Sequence, residues 1–214
     1  MTTKSILLTI CLSLLSAAAH AQDYPRFNFN IGGGAGFPLK TTSDFVGNGA
    51  TFVVGAGPNF TRYLGMSGEF MWNDLPVMQS VAGQLGIPDT TARQYSLTLN
   101  AILRNPGTSK FGAYVIGGGG WYHRSGEATA PVLVPGTVCP AFWVWWGTCV
   151  SGLWPANVTI ASFSSNAFGG NIGGGLTFKV GESGVKAYTE VRYHHASHNN
   201  VSTDLLPLTF GIRW

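Results

Sequence analysis

The sequence predicts an all-β fold: an eight-stranded, antiparallel, up-and-down transmembrane β-barrel preceded by a cleaved signal peptide. Three observations lead there. Eight segments of about nine to thirteen residues alternate apolar and polar side chains, near the length a tilted strand needs to cross a bilayer. The connectors between them alternate short and long. The N-terminus has the layout of an export signal. Composition agrees: charged residues make up 10% of the chain, against about 25% in typical soluble domains. The 30 glycines and 13% aromatics disfavour helix and disorder respectively.

In the signal segment, residues 1–21, Lys4 supplies positive charge. "ILLTICLSLLSAAA" is the apolar core, and "AHA" at Ala19–Ala21 puts small residues at the cleavage position. Cleavage after Ala21 leaves Gln22 first and residues 22–214 as the barrel domain. A membrane anchor is the rival, but the apolar run falls short of the ~20 residues a spanning helix needs. "LTI" before Cys11 makes a poor lipidation box, so no lipid anchor is expected.

Along the mature chain, "FNFNIGGGAGF" (27–37) sets Phe27, Phe29, Ile31, Ala35 and Phe37 on one face. "TFVVGAGPNF" (51–60) does the same with Phe52, Val54, Ala56, Pro58 and Phe60. "MSGEFMWN" (66–73) opposes Met66, Phe70 and Trp72 to Ser67, Glu69 and Asn73. "RQYSLTLNAILR" (93–104) opposes Tyr95, Leu97, Leu99, Ala101 and Leu103 to Gln94, Ser96, Thr98, Asn100 and Arg104. "KFGAYVIGGGGWY" (110–122) is a strand of undetermined phase, because glycines occupy both faces. "AFGGNIGGGLTFKV" (167–180), "VKAYTEVRYHH" (185–195) and "LLPLTFGIRW" (205–214) complete the set.

Alternation alone would fit a soluble sandwich or barrel equally well. The connectors discriminate. Residues 61–65, 105–109 and 181–184 are short, whereas 38–50, 74–92, 123–166 and 196–205 are longer. Short turns at one end and long loops at the other are the outer-membrane pattern. The polar faces carry Asn, Thr, Ser and Gly with few charges, which suits a narrow interior; the apolar faces carry Phe, Leu, Val, Trp and Tyr, which suits lipid. Such strands must close on themselves, since an open edge in hydrocarbon leaves backbone groups unpaired at several kcal/mol each.

With these features in place, the chain resembles the small OmpA/OmpX-like outer-membrane β-barrels. "GGGAGF", "YVIGGGGWY" and "NIGGGLTF" look like their Gly-rich strands, and "LTFGIRW" looks like their C-terminal assembly signal, with Phe210, Ile212 and Trp214 on the lipid face. The resemblance implies the outer membrane of a Gram-negative bacterium, extracellular long loops, periplasmic termini, and contact with lipid, lipopolysaccharide and the barrel-assembly machinery. A monomer is expected.

Four groups of residues are candidates for function. Glu69, Glu190 and Arg192 fall near mid-strand on the inward face, where an ion-pair network would neutralise buried charge; the alternative is a polar plug gating a narrow pore. Cys139 and Cys149, the cysteines left after signal removal, read as one disulfide in an exported chain. Two thiols without nearby histidine are too few for structural zinc, so no metal and no cofactor are expected. Between them, "CPAFWVWWGTC" holds Phe142, Trp143, Trp145 and Trp146, either folded back on the rim or exposed as a patch for an extracellular surface partner. Finally, His195-x-Ser197 resembles the His-x-Ser element of outer-membrane lipid A deacylases, in which a carboxylate orients the histidine. No carboxylate is expected in strand eight, Asp204 being assigned to the preceding loop. The modest net charge of +3 and the lack of a basic stripe exclude nucleic acid. The expected role is structural or surface interaction through the loops; a narrow pore and a lipid A-modifying hydrolase are the alternatives.

Overall fold

The computed structural model describes residues 24–84, 89–105, 110–139, 145–181, 184–198 and 201–214. The expected signal peptide (residues 1–21), Phe142 and Trp143 lie outside the described residues. The eight strands are β1 (Phe27–Pro38), β2 (Gly49–Pro58), β3 (Leu64–Pro76), β4 (Asp89–Asn105), β5 (Phe111–Val138), β6 (Val150–Lys179), β7 (Lys186–His198) and β8 (Val201–Arg213). Each pairs antiparallel with its sequence neighbours, and β1 pairs with β8 to close the barrel. Closure continues through Trp214: Phe29 and Trp214 exchange backbone hydrogen bonds of 2.9 and 3.0 Å, and their rings stack at 5.7 Å.

The alternation read from sequence sorts the faces as expected. Asn28, Asn30, Thr51, Ser67, Glu69, Asn73, Ser96, Thr98, Asn100 and Asn171 are buried in the lumen, while Phe27, Phe70, Leu97, Leu99, Leu103, Phe168, Ile172 and Phe210 are exposed outward. The phase of β5 is settled by tyrosine: Tyr114, Ile116 and Tyr122 are buried inside, and Val115 and Trp121 face out. Glycines fill inward positions where strands crowd. A Cβ on Gly34 would lie 1.9 Å from the Leu208 carbonyl oxygen, so only glycine lets β1 and β8 meet there.

The connectors depart from expectation in three places. Of residues 123–166, expected as a loop, 123–138 and 150–166 are strand. β5 and β6 pair from Phe111↔Phe178 to Val138↔Val150. The segment's Val, Thr, Ala and Ser suit pleated strand, and Pro131, Pro135 and Pro155 fall where each strand has one neighbour and a missing backbone donor is tolerated. The connector 74–92 is shortened at both ends, because β3 reaches Pro76 and β4 starts at Asp89, with the helix α1 (Gln79–Gln84) between. The connector 196–205 shrinks to a tight link, since β7 ends at His198 and β8 begins at Val201.

The strand termini define two ends. The hairpin end carries the β5–β6 extension, and a 3-10 turn over Lys40–Asp44 folds across it, with Val46 packing on Leu75 and Leu205. The turn end carries the β2–β3, β4–β5 and β6–β7 connections and both described chain ends.

Candidate functional site

Mid-barrel, the lumen is filled by one connected polar layer. Arg192, from β7, donates through Nη1 to Glu69 Oε2 of β3, and through Nε (2.9 Å) and Nη2 to Glu190 Oε1. All three side chains are at most 2% exposed. Neutral donors complete the layer. Asn100 donates to Glu69 at 2.8 Å, Asn171 donates to Asn100 at 2.9 Å, and Tyr114 donates its hydroxyl to Glu190 Oε2 at 2.7 Å. The geometry therefore unites the three charged residues that alternation had placed inward. Sequence reasoning missed Tyr114, Asn100 and Asn171, which share the layer only because of register. Above it, toward the hairpin end, His194 bonds Tyr122 at 3.0 Å and a cavity of about 500 Å³ opens between apolar walls and Arg124.

The hairpin extension is the most prominent feature outside the barrel. β4 accompanies β5 only as far as Thr129, and β7 accompanies β6 only from Gly169. From Ala130↔Val158 to Val138↔Val150 the two strands pair solely with each other. These nine pairs span about 30 Å at the rise of an antiparallel strand. A register shift between Ala128 and Thr129 marks where the ribbon leaves β4, as bulges commonly do at sheet edges. Cys139 and Cys149 form a disulfide that closes the tip. Trp145 and Trp146 are 78% and 61% exposed there and meet edge to face at 5.0 Å. Leu133 and Leu153 are also exposed along the ribbon, and Ile160 and Phe163 of β6 at its base.

The third group lies on the outer surface of the barrel at the hairpin end. Asp204 is in β8, directly opposite His195 of β7, and not in a loop. The boundary was misplaced because the link after His198 is short, which leaves Val201–Asp204 free to pair. Asp204 Oδ1 receives His195 Nδ1 at 2.8 Å, Lys40 Nζ at 3.3 Å and the Tyr193 hydroxyl. Its Oδ2 accepts from Ser202 at 2.9 Å, and its backbone N–H donates to Thr42 Oγ1 at 2.9 Å. The carboxylate is fully buried under these donors, while His195 is half exposed. The Tyr193 and Asp204 bonds raise the Lys40 ammonium above its ordinary value. Ser197 is exposed two places along β7, on the same outward face as His195, and pairs across the ladder with Ser202.

The model of the outer membrane protein beta-barrel domain family matches residues 7–213 of the chain. Solved structures sharing the fold include Ail, the attachment invasion locus protein of Yersinia pestis, at 16% identity and a TM-score of 0.52, covering 88% of this chain and 97% of that one. Ail has also been solved in complex with the heparin analogue sucrose octasulfate. Neisserial surface protein A shares 14% identity with a TM-score of 0.53, covering 88% and 96%. A major outer membrane protein from Thermus thermophilus shares 11% identity with a TM-score of 0.53, covering 89% and 99%. No curated protein matches. At these identities the likeness is one of fold.

Proposed function

The chain belongs to the outer-membrane protein beta-barrel domain family, and from that premise we propose that it is a sealed membrane anchor holding one apolar β-ribbon clear of the bilayer to bind a surface partner. The ribbon carries this proposal. A two-stranded sheet alone is marginal in water, and exposed apolar side chains along it mark an interaction surface. Among the described residues, the outer edge of β5 beyond Thr129 has no partner strand, and neither does that of β6 before Gly169. Such edges accept an added strand, with the apolar side chains supplying contact area. In this arrangement the hairpin end faces the exterior and the turn end faces the periplasm, with Phe210, Ile212 and Trp214 as the address read during assembly.

The partner is recognised by apolar contact. Between Arg124 and Lys179 the sequence has no Lys or Arg, and Glu127 is its sole acid. A polyanion such as the heparin analogue bound by Ail would find no counter-charge there. The test deletes residues 130–158 and joins Thr129 to Thr159 through Asn-Gly, a favoured two-residue turn. Cells making this variant should lose adhesion to host-cell layers and matrix-coated surfaces while the barrel keeps heat-modifiable gel mobility. Undiminished adhesion, or a barrel that no longer folds, refutes the proposal.

One observation favours a second activity, acyl-ester hydrolysis of lipid A. Asp204 engages Nδ1 of His195, which would leave Nε2 as a general base two places from Ser197 on the same outward face. Mass spectrometry of lipid A from cells with and without the protein tests it. An acyl pattern that ignores Ser197→Ala excludes the activity.

A further inference from the structure

We propose that the lumen mouth at the turn end is a binding site for an oxyanion of the phosphate class. A cavity of about 460 Å³ opens there. Arg62, Arg104, Lys110, Lys179, Lys186 and Arg213 line it, and among the described residues no Asp or Glu side chain does. Concentrating this much positive charge in a partly dry cleft raises the local potential and draws counter-ions. Mid-lumen carboxylates do not relieve it. Glu69 and Glu190 are held by Arg192, and the nearest approach to the cluster is Glu190 Oε2 at 3.7 Å from Arg213 Nη2, too far for a hydrogen bond. Among the described residues this is the only carboxylate within 4 Å of Arg104, Lys179, Lys186 or Arg213.

The two arginines are built into place with their donors unused. The Arg213 guanidinium lies over the Tyr114 ring at 4.2 Å and the Tyr188 ring at 5.1 Å. Stacking fixes its plane and leaves its edge free. Its side chain is 6% exposed, yet Nε, Nη1 and Nη2 have no hydrogen-bond partner among the described residues. Arg104 is steadied through Nη1 by Asn59 Oδ1 at 2.7 Å, and its Nη2 is likewise buried without a partner. Buried donors without acceptors are destabilising, and more so when charged. Two planar guanidinium edges flanking a cavity suit the bidentate geometry of phosphate or sulfate. Lys179 and Lys186 at the rim add charge without fixed direction. The oxyanion comes either from solution or from a lipid headgroup, and the chemistry of recognition is shared.

The test uses the full-length barrel in nanodiscs of zwitterionic lipid at low ionic strength, with inorganic phosphate titrated by calorimetry against empty discs. Saturable binding of one phosphate per barrel is expected, weakened about tenfold or more by Arg213→Gln and several-fold by Lys186→Gln. A parallel series replaces part of the lipid with phosphatidylglycerol and measures lipid retained after delipidation. Free phosphate binding identifies a soluble ligand. Retention of phosphatidylglycerol that is lost in Arg213→Gln, without free phosphate binding, identifies the headgroup. If neither ligand binds saturably, or if both variants bind as the parent does, the proposal is overturned. Lys186→Gln, outside the stacked core, serves where Arg213→Gln fails to fold.

Discussion

Replacing Arg192 by methionine removes the single cation that holds two buried carboxylates. Arg192, Glu69 and Glu190 are at most 2% exposed, so solvent cannot screen what is left. Glu190 would keep the Tyr114 hydroxyl at 2.7 Å and the Arg213 charge at 3.7 Å. Glu69 would keep only Asn100 at 2.8 Å, and its Oε1 has no partner even in the parent. Breaking a buried pair by removing one member costs about 3–5 kcal/mol, and Glu69 accounts for the larger part. At a urea slope of about 2 kcal/mol/M, a loss of about 4 kcal/mol lowers the unfolding midpoint by roughly 2 M. Arg192→Lys retains the charge but not the fork that reaches both carboxylates. It should cost about 2 kcal/mol, one charged hydrogen bond. Unfolding in phospholipid vesicles, followed by tryptophan fluorescence, measures both. The decisive arm is the triple variant Glu69→Gln, Glu190→Gln, Arg192→Met. If unpaired charge is the cause, the triple is more stable than Arg192→Met alone. If the triple is equally unstable, shape and not charge holds the layer, and the argument fails.

Gly33 and Gly34 make a matched pair on β1. A Cβ at Gly34 meets a backbone carbonyl at 1.9 Å, whereas one at Gly33 meets Thr51 O at 3.4 Å. Gly34→Ala should cost about 3 kcal/mol or more and Gly33→Ala within about 0.5 kcal/mol; equal urea midpoints would contradict the register. Trp214→Ala removes the ring stacked on Phe29 and should cost about 1 kcal/mol while slowing assembly from the urea-unfolded state into vesicles, seen as slower gain of heat-modifiable mobility. Cys139→Ser should leave the barrel midpoint unchanged and expose the tip to protease, since the disulfide lies beyond the last β4–β5 pair; a lowered barrel midpoint would tie the tip to the barrel fold.

Strand existence, number and, except in glycine-rich β5, facing were legible because the lumen and the bilayer impose opposite chemistry on alternate residues. Glu69, Glu190 and Arg192 could be grouped for the same reason: a narrow interior brings inward charges within reach of each other. Two things were not legible. The ends of β5 and β6 depend on pairing between segments that carry little periodic contrast, so residues 123–138 and 150–166 read as loop. The Asp204–His195 contact depends on a register set by the brief link after His198, and an error of a few residues in the start of β8 moved the acid off the strand. Unused donors on Arg104 and Arg213 are invisible to sequence, because they follow from stacking and from where Glu190 is already engaged.

The fold links its two ends through one division of charge. Among the described residues, the lumen from its middle to the turn end holds two carboxylates, Glu69 and Glu190, against five cations, Arg192, Arg104, Lys179, Lys186 and Arg213. Both carboxylates are engaged by Arg192, which fills the middle and leaves the remaining cations facing the turn-end mouth. A barrel filled in this way resists deformation, because side chains from β3, β4, β5, β6 and β7 are joined across it by hydrogen bonds. The proposed binding role of the ribbon calls for that rigidity. It is not attached by a flexible linker; it is the same two strands continued, so its angle and reach are set by the pairs that β5 and β6 make inside the barrel. Burying its exposed side chains against a partner then costs little ordering entropy at the base, and a pull on the tip is carried directly into the ladders that span the membrane.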